Sequence, residues 1–238
     1  MIYMDQVKFV LYTLAIILTC NFLGFLISIV TIHFPFLHSF RIQKRKIKSS
    51  IFYARLPLII LNIILLMLIS TFGLYVLYFL FDPILKLNFL TIIFQLLFIL
   101  LIDDVYFYFL HLWMHTNKYV LKKIHRIHHK AITPVALEYI YVHPIEWLLG
   151  YIGPFVAIFI ISLVQPVSIL AFWAYQIIRN IHELDVHSGF KSLFSKWIPF
   201  WGESEHHDLH HEKLNGNYAT TFTIWDRIFK TKIQKNEK

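Results

Sequence analysis

The chain has 238 residues, is 58% hydrophobic and only 15% charged, and has a mean hydropathy of +0.60, which excludes an ordinary soluble domain and indicates a membrane protein. The formal charge of +8 sits mostly in basic residues beside apolar runs, so it reads as topological and lipid-facing rather than as a nucleic-acid footprint. The single cysteine, Cys20, lies in the first apolar run and excludes both an intramolecular disulfide and a cysteine-based metal site.

Residues 9–30 are nearly uninterrupted apolar sequence, enough to cross a hydrocarbon core that needs about 20. The run exceeds the apolar region of a signal peptide and no A-x-A-like site follows, so it is read as a retained anchor. The basic cluster Arg41, Lys44, Arg45, Lys46 and Lys48, with Arg55 beyond it, is expected to be cytoplasmic. Residues 56–81 form a second span with Pro57 in its first turn, closed by Asp82-Pro83. Residues 87–102 return as a third span and continue through Asp103 and Asp104 to His111.

Lys118, Lys122, Lys123, Arg126 and Lys130 mark a second cytoplasmic segment. Residues 145–164 and 167–181, joined at Gln165-Pro166, form an apolar pair whose second limb is short, a re-entrant or tilted hairpin with both ends on one side. Residues 182–238 are mixed polar and aromatic. They are expected to cap the bundle, with Trp197, Trp201 and Trp225 at the interface and a frayed tail from Lys232 to Lys238. Charge counting and hairpin parity thus place every candidate ligand from His111 to His211 on the cytoplasmic side, with Lys8 and Lys86 the only lysines or arginines opposite. The fold class expected is all-α. It comprises membrane spans in 1–102, then a His-rich region in 103–238 that includes the membrane hairpin 145–181, with four to five apolar segments in all.

The histidines carry the chemistry. His111 and His115 stand in H-x3-H order, and His125, His128 and His129 repeat the H-x2-H-H order of His207, His210 and His211. On a helix, residues i, i+3 and i+4 share a face, so each group is expected to converge, giving three faces for two ions. Packed imidazoles near lipid stay neutral and available as ligands, and imidazole suits zinc, copper, iron and nickel. Asp104 falls on the stripe of His111 and His115 and is expected to orient a ligand ring through its other nitrogen. Asp208, the only acid between the histidines of the third group, is given the same supporting role. Nitrogen ligands holding two ions at the mouth of an apolar channel favour redox-active iron and O2 over hydrolysis. A His-rich transporter or sensor is the non-enzyme alternative. It would carry ionisable groups near mid-membrane, whereas the spans contain mainly Cys20, Asn62 and Gln95 as polar groups.

Five stretches carry a family resemblance. They are FLHLWMH (109–115), KIHRIHHK (123–130), EYIYVHPIEW (138–147), DVHSGF (185–190) and HHDLHHEKLNGNYATTFTIWDRIF (206–229). Over residues 103–231 the chain resembles the fatty acid hydroxylase and sterol desaturase superfamily, most nearly its C-4 sterol methyl oxidase branch. The resemblance implies a di-iron centre held by His111, His115, His125, His128, His129, His207, His210 and His211, with His187 as a ninth ligand and His143 as a ligand or a wall of the substrate cavity. It leaves His182 and His206 as background, and it implies no catalytic residue beyond the metal ligands. It further implies O2-dependent oxidation of a C–H bond on a membrane lipid, foremost a sterol 4-methyl group, with electrons from a partner such as cytochrome b5 or a reductase. Hydroxylation of fatty acyl or sphingolipid chains, or sterol desaturation, uses the same ligands. The membrane would be the endoplasmic reticulum in a eukaryote and the inner membrane in a bacterium. Asn217, Tyr218, Trp225, Asp226 and Arg227 are family-typical and are read as structural, with Asp226 and Arg227 as a local ion pair. Leu112 stands where many relatives carry arginine, and Lys230 where a glycine is common.

Overall fold

In the computed structural model, residues 2–45, 48–192 and 194–234 are described; Lys46 of the basic cluster and Lys235 to Lys238 of the tail lie outside them. The fold is helical with almost no sheet. Helix α1 (Gln6–His33) is opened by Asp5, whose Oδ1 accepts from Lys8 N at 2.9 Å. Helix α2 (Ser49–Val76) begins seven residues before the expected span, so Pro57 lies well inside it rather than in its first turn. Helix α3 (Phe89–Thr116) is one uninterrupted element, capped by Asn88 and carrying Asp103, Asp104, His111 and His115 on a single rigid rod.

Asn117 ends α3 and its Oδ1 starts the short α4 (Lys118–Lys123) by accepting from Tyr119 N and Val120 N. A 3-10 segment, His125–Lys130, follows, where the spacing predicts α-helix. After a second 3-10 turn, Ala136–Ile140, helices α5 (Pro144–Gly150) and α6 (Ile152–Ser162) cover the first limb of the expected hairpin, and α7 (Ile169–Val186) returns. Helix α8 (Ser204–Lys213) carries the third histidine group and α9 (Ile224–Ile228) closes the chain.

Among the described residues four stretches are long and apolar enough to cross a membrane, namely Gln6–His33, Ser49–Leu80, Phe89–Thr116 and Pro144–Ser162, so the chain is a multi-pass membrane protein. Their lipid-facing positions stay apolar and exposed, such as Phe72 and Phe94. Helix α3 packs between α6 and α7, and α1 packs against α7 and α2. The apolar core joins Phe9, Leu74, Ile99, Ile158 and Phe172.

Two-residue strand pairs tie one end of the bundle: Ile2–Tyr3 against Ile84–Leu85, and Phe81–Asp82 against Val167–Ser168. The histidines of the three groups lie toward the opposite end, in the last two turns of α3, in the 3-10 segment that follows α4 and on α8. The span polar groups serve the backbone. Asn62 Nδ2 donates to Ile140 O and Val142 O, both at 2.9 Å, and Gln95 holds Pro166 O and Ser168 N across the α6–α7 turn.

Basic residues expected to face lipid prove structural in two cases. Arg41 is buried, and its guanidinium donates to Pro134 O at 2.8 Å and Ser188 O at 3.3 Å. It passes over Gly189, whose φ of +75° and lack of Cβ make room, since a Cβ there would stand 2.3 Å from Nη2. Arg55 pairs with the buried Glu138 and donates to Lys130 O at 2.6 Å. Both thereby brace the segments that bear the histidines.

Candidate metal centre

Among the described residues nine imidazoles gather in two groups. His111, His115, His125, His129 and His210 form the first, and His128, His187, His207 and His211 the second; within each, one nitrogen per ring lies within 4.8 Å of the others. The nine are the eight spaced histidines and His187. The H-x2-H-H triplets do not converge as expected, because each is divided. His125 and His129 join the first group and His128 the second, whereas His207 and His211 join the second and His210 the first. On a helix, residue i+4 stands about 40° from i and i+3 about 60° away on the other side. A triplet therefore spans an arc wide enough to address two centres, and α8 does so. The 3-10 segment makes the same division, with the rings of His125 and His128 parted by 5.7 Å.

The spacings suit metal ions better than protons. In the first group, His125 Nε2 lies 3.2 Å from His111 Nε2, 2.9 Å from His115 Nε2 and 2.9 Å from His129 Nε2. In the second, His207 Nε2 lies 3.0 Å from His187 Nε2 and 3.1 Å from His211 Nε2. One proton satisfies one such pair, not a converging set, whereas donors at neighbouring corners around an ion with bonds of about 2.1 Å stand about 3 Å apart. The other ring nitrogens are already committed in several cases. His111 Nδ1 donates to Tyr218 O at 2.7 Å, His210 Nδ1 to Gly216 O at 2.7 Å and His187 Nδ1 to Glu183 O at 2.9 Å, which turns each Nε2 inward. His210 Nε2 is then buried without a partner among the described residues. Burial pushes His125 down to about 3 and His128 down to about 4, and burial with neighbouring imidazoles holds His129, His187, His207, His210 and His211 well below the ordinary range. These rings are neutral and their lone pairs are free for a cation.

The supporting carboxylates differ from those expected. Asp104 touches no imidazole. It accepts from Thr221 N and Phe222 N, both at 3.0 Å, and from Trp225 Nε1 at 2.6 Å. It shares the stripe of His111 but lies about 10 Å down the helix axis, so it pins the closing loop instead. Asp208 accepts from Gln43 Nε2 at 2.9 Å, faces away from the rings, and is raised to about 6 by burial. The carboxylates against candidate ligands are Glu146, whose Oε1 accepts from His125 Nδ1 at 2.8 Å, and Glu183, whose Oε2 stands 3.4 Å from His187 Nδ1.

His143 joins neither group and does not line the cavity; its Nδ1 accepts from Ile145 N at 3.1 Å and caps α5. His206 and His182 are structural, bonded to Asp226 Oδ2 at 2.9 Å and Thr220 O at 3.1 Å. Asp226 thus pairs with His206 and not with Arg227, which lies over Phe200 at 5.1 Å. Trp225 and Trp201 face inward, Trp201 against the His182 ring at 4.6 Å, and Trp197 alone is widely exposed. Lys230 has a φ of +58°, which explains why glycine suits that position.

Both groups open on one cavity of about 100 Å³, with His111 and His125 from the first and His128, His187 and His207 from the second at its head. Phe107, Tyr139, Trp147, Tyr151, Pro154 and Tyr175 form much of the wall. Among the polar groups there, Asp103 accepts from Tyr175 Oη at 2.8 Å and Arg179 Nε at 3.1 Å.

Residues 96–231 match the family model described as Fatty acid hydroxylase. Methylsterol monooxygenase 1 of Rattus norvegicus is 42% identical over 135 residues, 56% of this chain and 44% of its own length. Methylsterol monooxygenase 1 of Danio rerio is 36% identical over 138 residues, 57% of this chain and 46% of its own. A very-long-chain aldehyde decarbonylase of Oryza sativa subsp. indica is 35% identical over 158 residues, 62% of this chain and 56% of its own. The chain spans about half the length of these curated relatives. No solved structure matches.

Proposed function

The chain belongs to the fatty acid hydroxylase family, and from that premise we propose that it is an O2-dependent di-iron monooxygenase of the membrane that oxidises a C–H bond of a lipid, foremost a sterol C-4 methyl group. The observation that carries this reading is the opening of two all-imidazole clusters onto one mostly aromatic cavity. His111, His115, His125, His129 and His210 would hold one iron, and His128, His187, His207 and His211 the other. Bound iron supplies the redox chemistry by which O2 attacks an unactivated C–H bond. The residues of the chain orient the rings, exclude water and seat the lipid. A cavity of about 100 Å³ is well below the roughly 300–1,000 Å³ that engulfs a whole ligand, so it takes the reacting end of a lipid whose remainder stays among the helices.

Two relatives with methylsterol monooxygenase in their names support the sterol reading. The rice relative matches with a different named activity, so the metal region alone does not select the substrate, and the cavity wall must. The reaction consumes two electrons per turnover, and a reduced partner such as cytochrome b5 or a reductase would deliver them. Of the lysines and arginines among the described residues, only Lys8 and Lys86 lie at the end opposite the histidines, and this supports a cytoplasmic metal face, with residence in the endoplasmic reticulum or a bacterial inner membrane according to the host. A metal transporter is disfavoured because the Asn62 amide nitrogen and Gln95 are spent on the backbone rather than facing a transport path.

The test is turnover of a 4,4-dimethyl sterol by the iron-loaded chain with a reductant and ¹⁸O2. Label in an oxidised 4-methyl group supports the reading, and its absence, with a labelled acyl lipid instead, replaces the substrate.

A further inference from the structure

Two neighbouring residues on α5 leave polar atoms unpaired beside the clusters. Glu146 is 6% exposed, and while its Oε1 accepts from His125, its Oε2 is buried with no partner. The indole Nε1 of Trp147 is likewise buried with no partner. Both residues line the cavity on which both clusters open. Asp103 is spent on Tyr175 and Arg179, and Tyr139 on Asn21 and Asn180, while the Thr220 hydroxyl, also in the lining, is buried and unpaired. Buried polar atoms are normally paired, so the unpaired atoms of Glu146 and Trp147 mark a place that a ligand completes.

The chemistry of the pair is selective. A carboxylate oxygen only accepts a hydrogen bond and an indole N–H only donates one. An alcohol satisfies both, a ketone satisfies the indole alone, and a hydrocarbon satisfies neither. Glu146 is also one imidazole ring removed from the first cluster, through His125. An oxygen held at Glu146 would therefore lie toward the metal end of the cavity.

We propose that Glu146 and Trp147 bind a hydroxyl group of the lipid, carried on the carbon next to the one that bears the oxidised methyl, and so set substrate specificity. The proposal rests on the sterol reading above and assigns its selectivity to named atoms.

The experiment uses the full iron-loaded chain in lipid nanodiscs and three 4-methyl sterols that differ only in carrying a hydroxyl, a ketone or hydrogen at C-3. The wild type is expected to favour the alcohol over the deoxy compound by at least about 100-fold in kcat/KM. Glu146→Gln keeps an acceptor for His125 and replaces the unpaired oxygen with a donor. Its iron content is expected to stay at the wild-type level while the alcohol-to-ketone ratio falls by about 10-fold or more. Trp147→Phe, further from the ligands, is expected to lower turnover of alcohol and ketone relative to the deoxy compound, and it decides the matter if Glu146→Gln loses iron. Equal turnover of alcohol and deoxy compound by the wild type overturns the proposal and leaves the sterol reading standing, as does an equal loss on all three sterols in both variants. Turnover of none of the three sinks both.

Discussion

His128 and His129 are adjacent in the chain but face different clusters. His128 Nε2 lies 3.5 Å from His187 Nε2, whereas His129 Nε2 lies 2.9 Å from His125 Nε2. Helix α8 makes the reverse exchange, sending His210 to the first cluster and His207 with His211 to the second. Each centre is therefore closed by residues from both segments, and neither ligand set is complete without α8 against the 125–130 turn.

That exchange orders the effects of ligand removal. His128→Ala and His211→Ala are expected to deplete the same site, and His129→Ala and His210→Ala the other, because loss of a ligand removes both affinity and geometry. Iron quantitation and Mössbauer spectra should sort the four variants into these two pairs. A sorting by sequence group, with His128 and His129 alike and His210 and His211 alike, would contradict the arrangement.

Acid should weaken the metal-free protein. The folded values of His125 and His128 lie near 3 and 4, below the ordinary imidazole value near 6.5, so between these limits the unfolded chain binds more protons. Stability is then greatest above about pH 6.5 and declines as pH falls toward 4. Thermal unfolding of the iron-free protein across this window should show the midpoint dropping, with iron-loaded protein holding to lower pH.

Asp104 anchors the closing loop by three hydrogen bonds from Thr221, Phe222 and Trp225. Asp104→Ala leaves those N–H groups unpaired, at a cost of about 1–3 kcal/mol each for those that water does not reach. A clear fall in unfolding temperature is expected. Protease cleavage near residues 220–230 should rise with it, and an unchanged midpoint would show that the loop is held elsewhere.

Lys230 holds a left-handed backbone at φ +58°. A side chain there costs roughly 1–2 kcal/mol, of which glycine returns part after its own entropy loss. Lys230→Gly is expected to stabilise by about 0.5–1 kcal/mol, seen as a higher unfolding temperature with iron content unchanged.

Much of this was legible from spacing and hydropathy. The four membrane-crossing stretches follow from apolar run length, and the histidine groups from their repeat. The division of the triplets was not legible, because sharing one helix face does not say whether the arc is met by one partner or two. Asp104 shows the same limit in another form, since periodicity gives its angle about the axis but not its reach along it. Glu146 stands three residues after His143 in the EYIYVHPIEW stretch, and its contact with His125 depends on how α5 packs against the 125–130 turn. Arg41 read as one cation in a topological cluster, and only the close approach at Gly189 gives it a buried place.

If the nine imidazoles hold two iron ions, the metal content of the purified full chain, measured by elemental mass spectrometry, shows it. Close to two iron atoms per chain are expected, lost together with oxygenase activity on chelation. One iron or none, or stoichiometric zinc in a protein that still oxidises lipid, would contradict it.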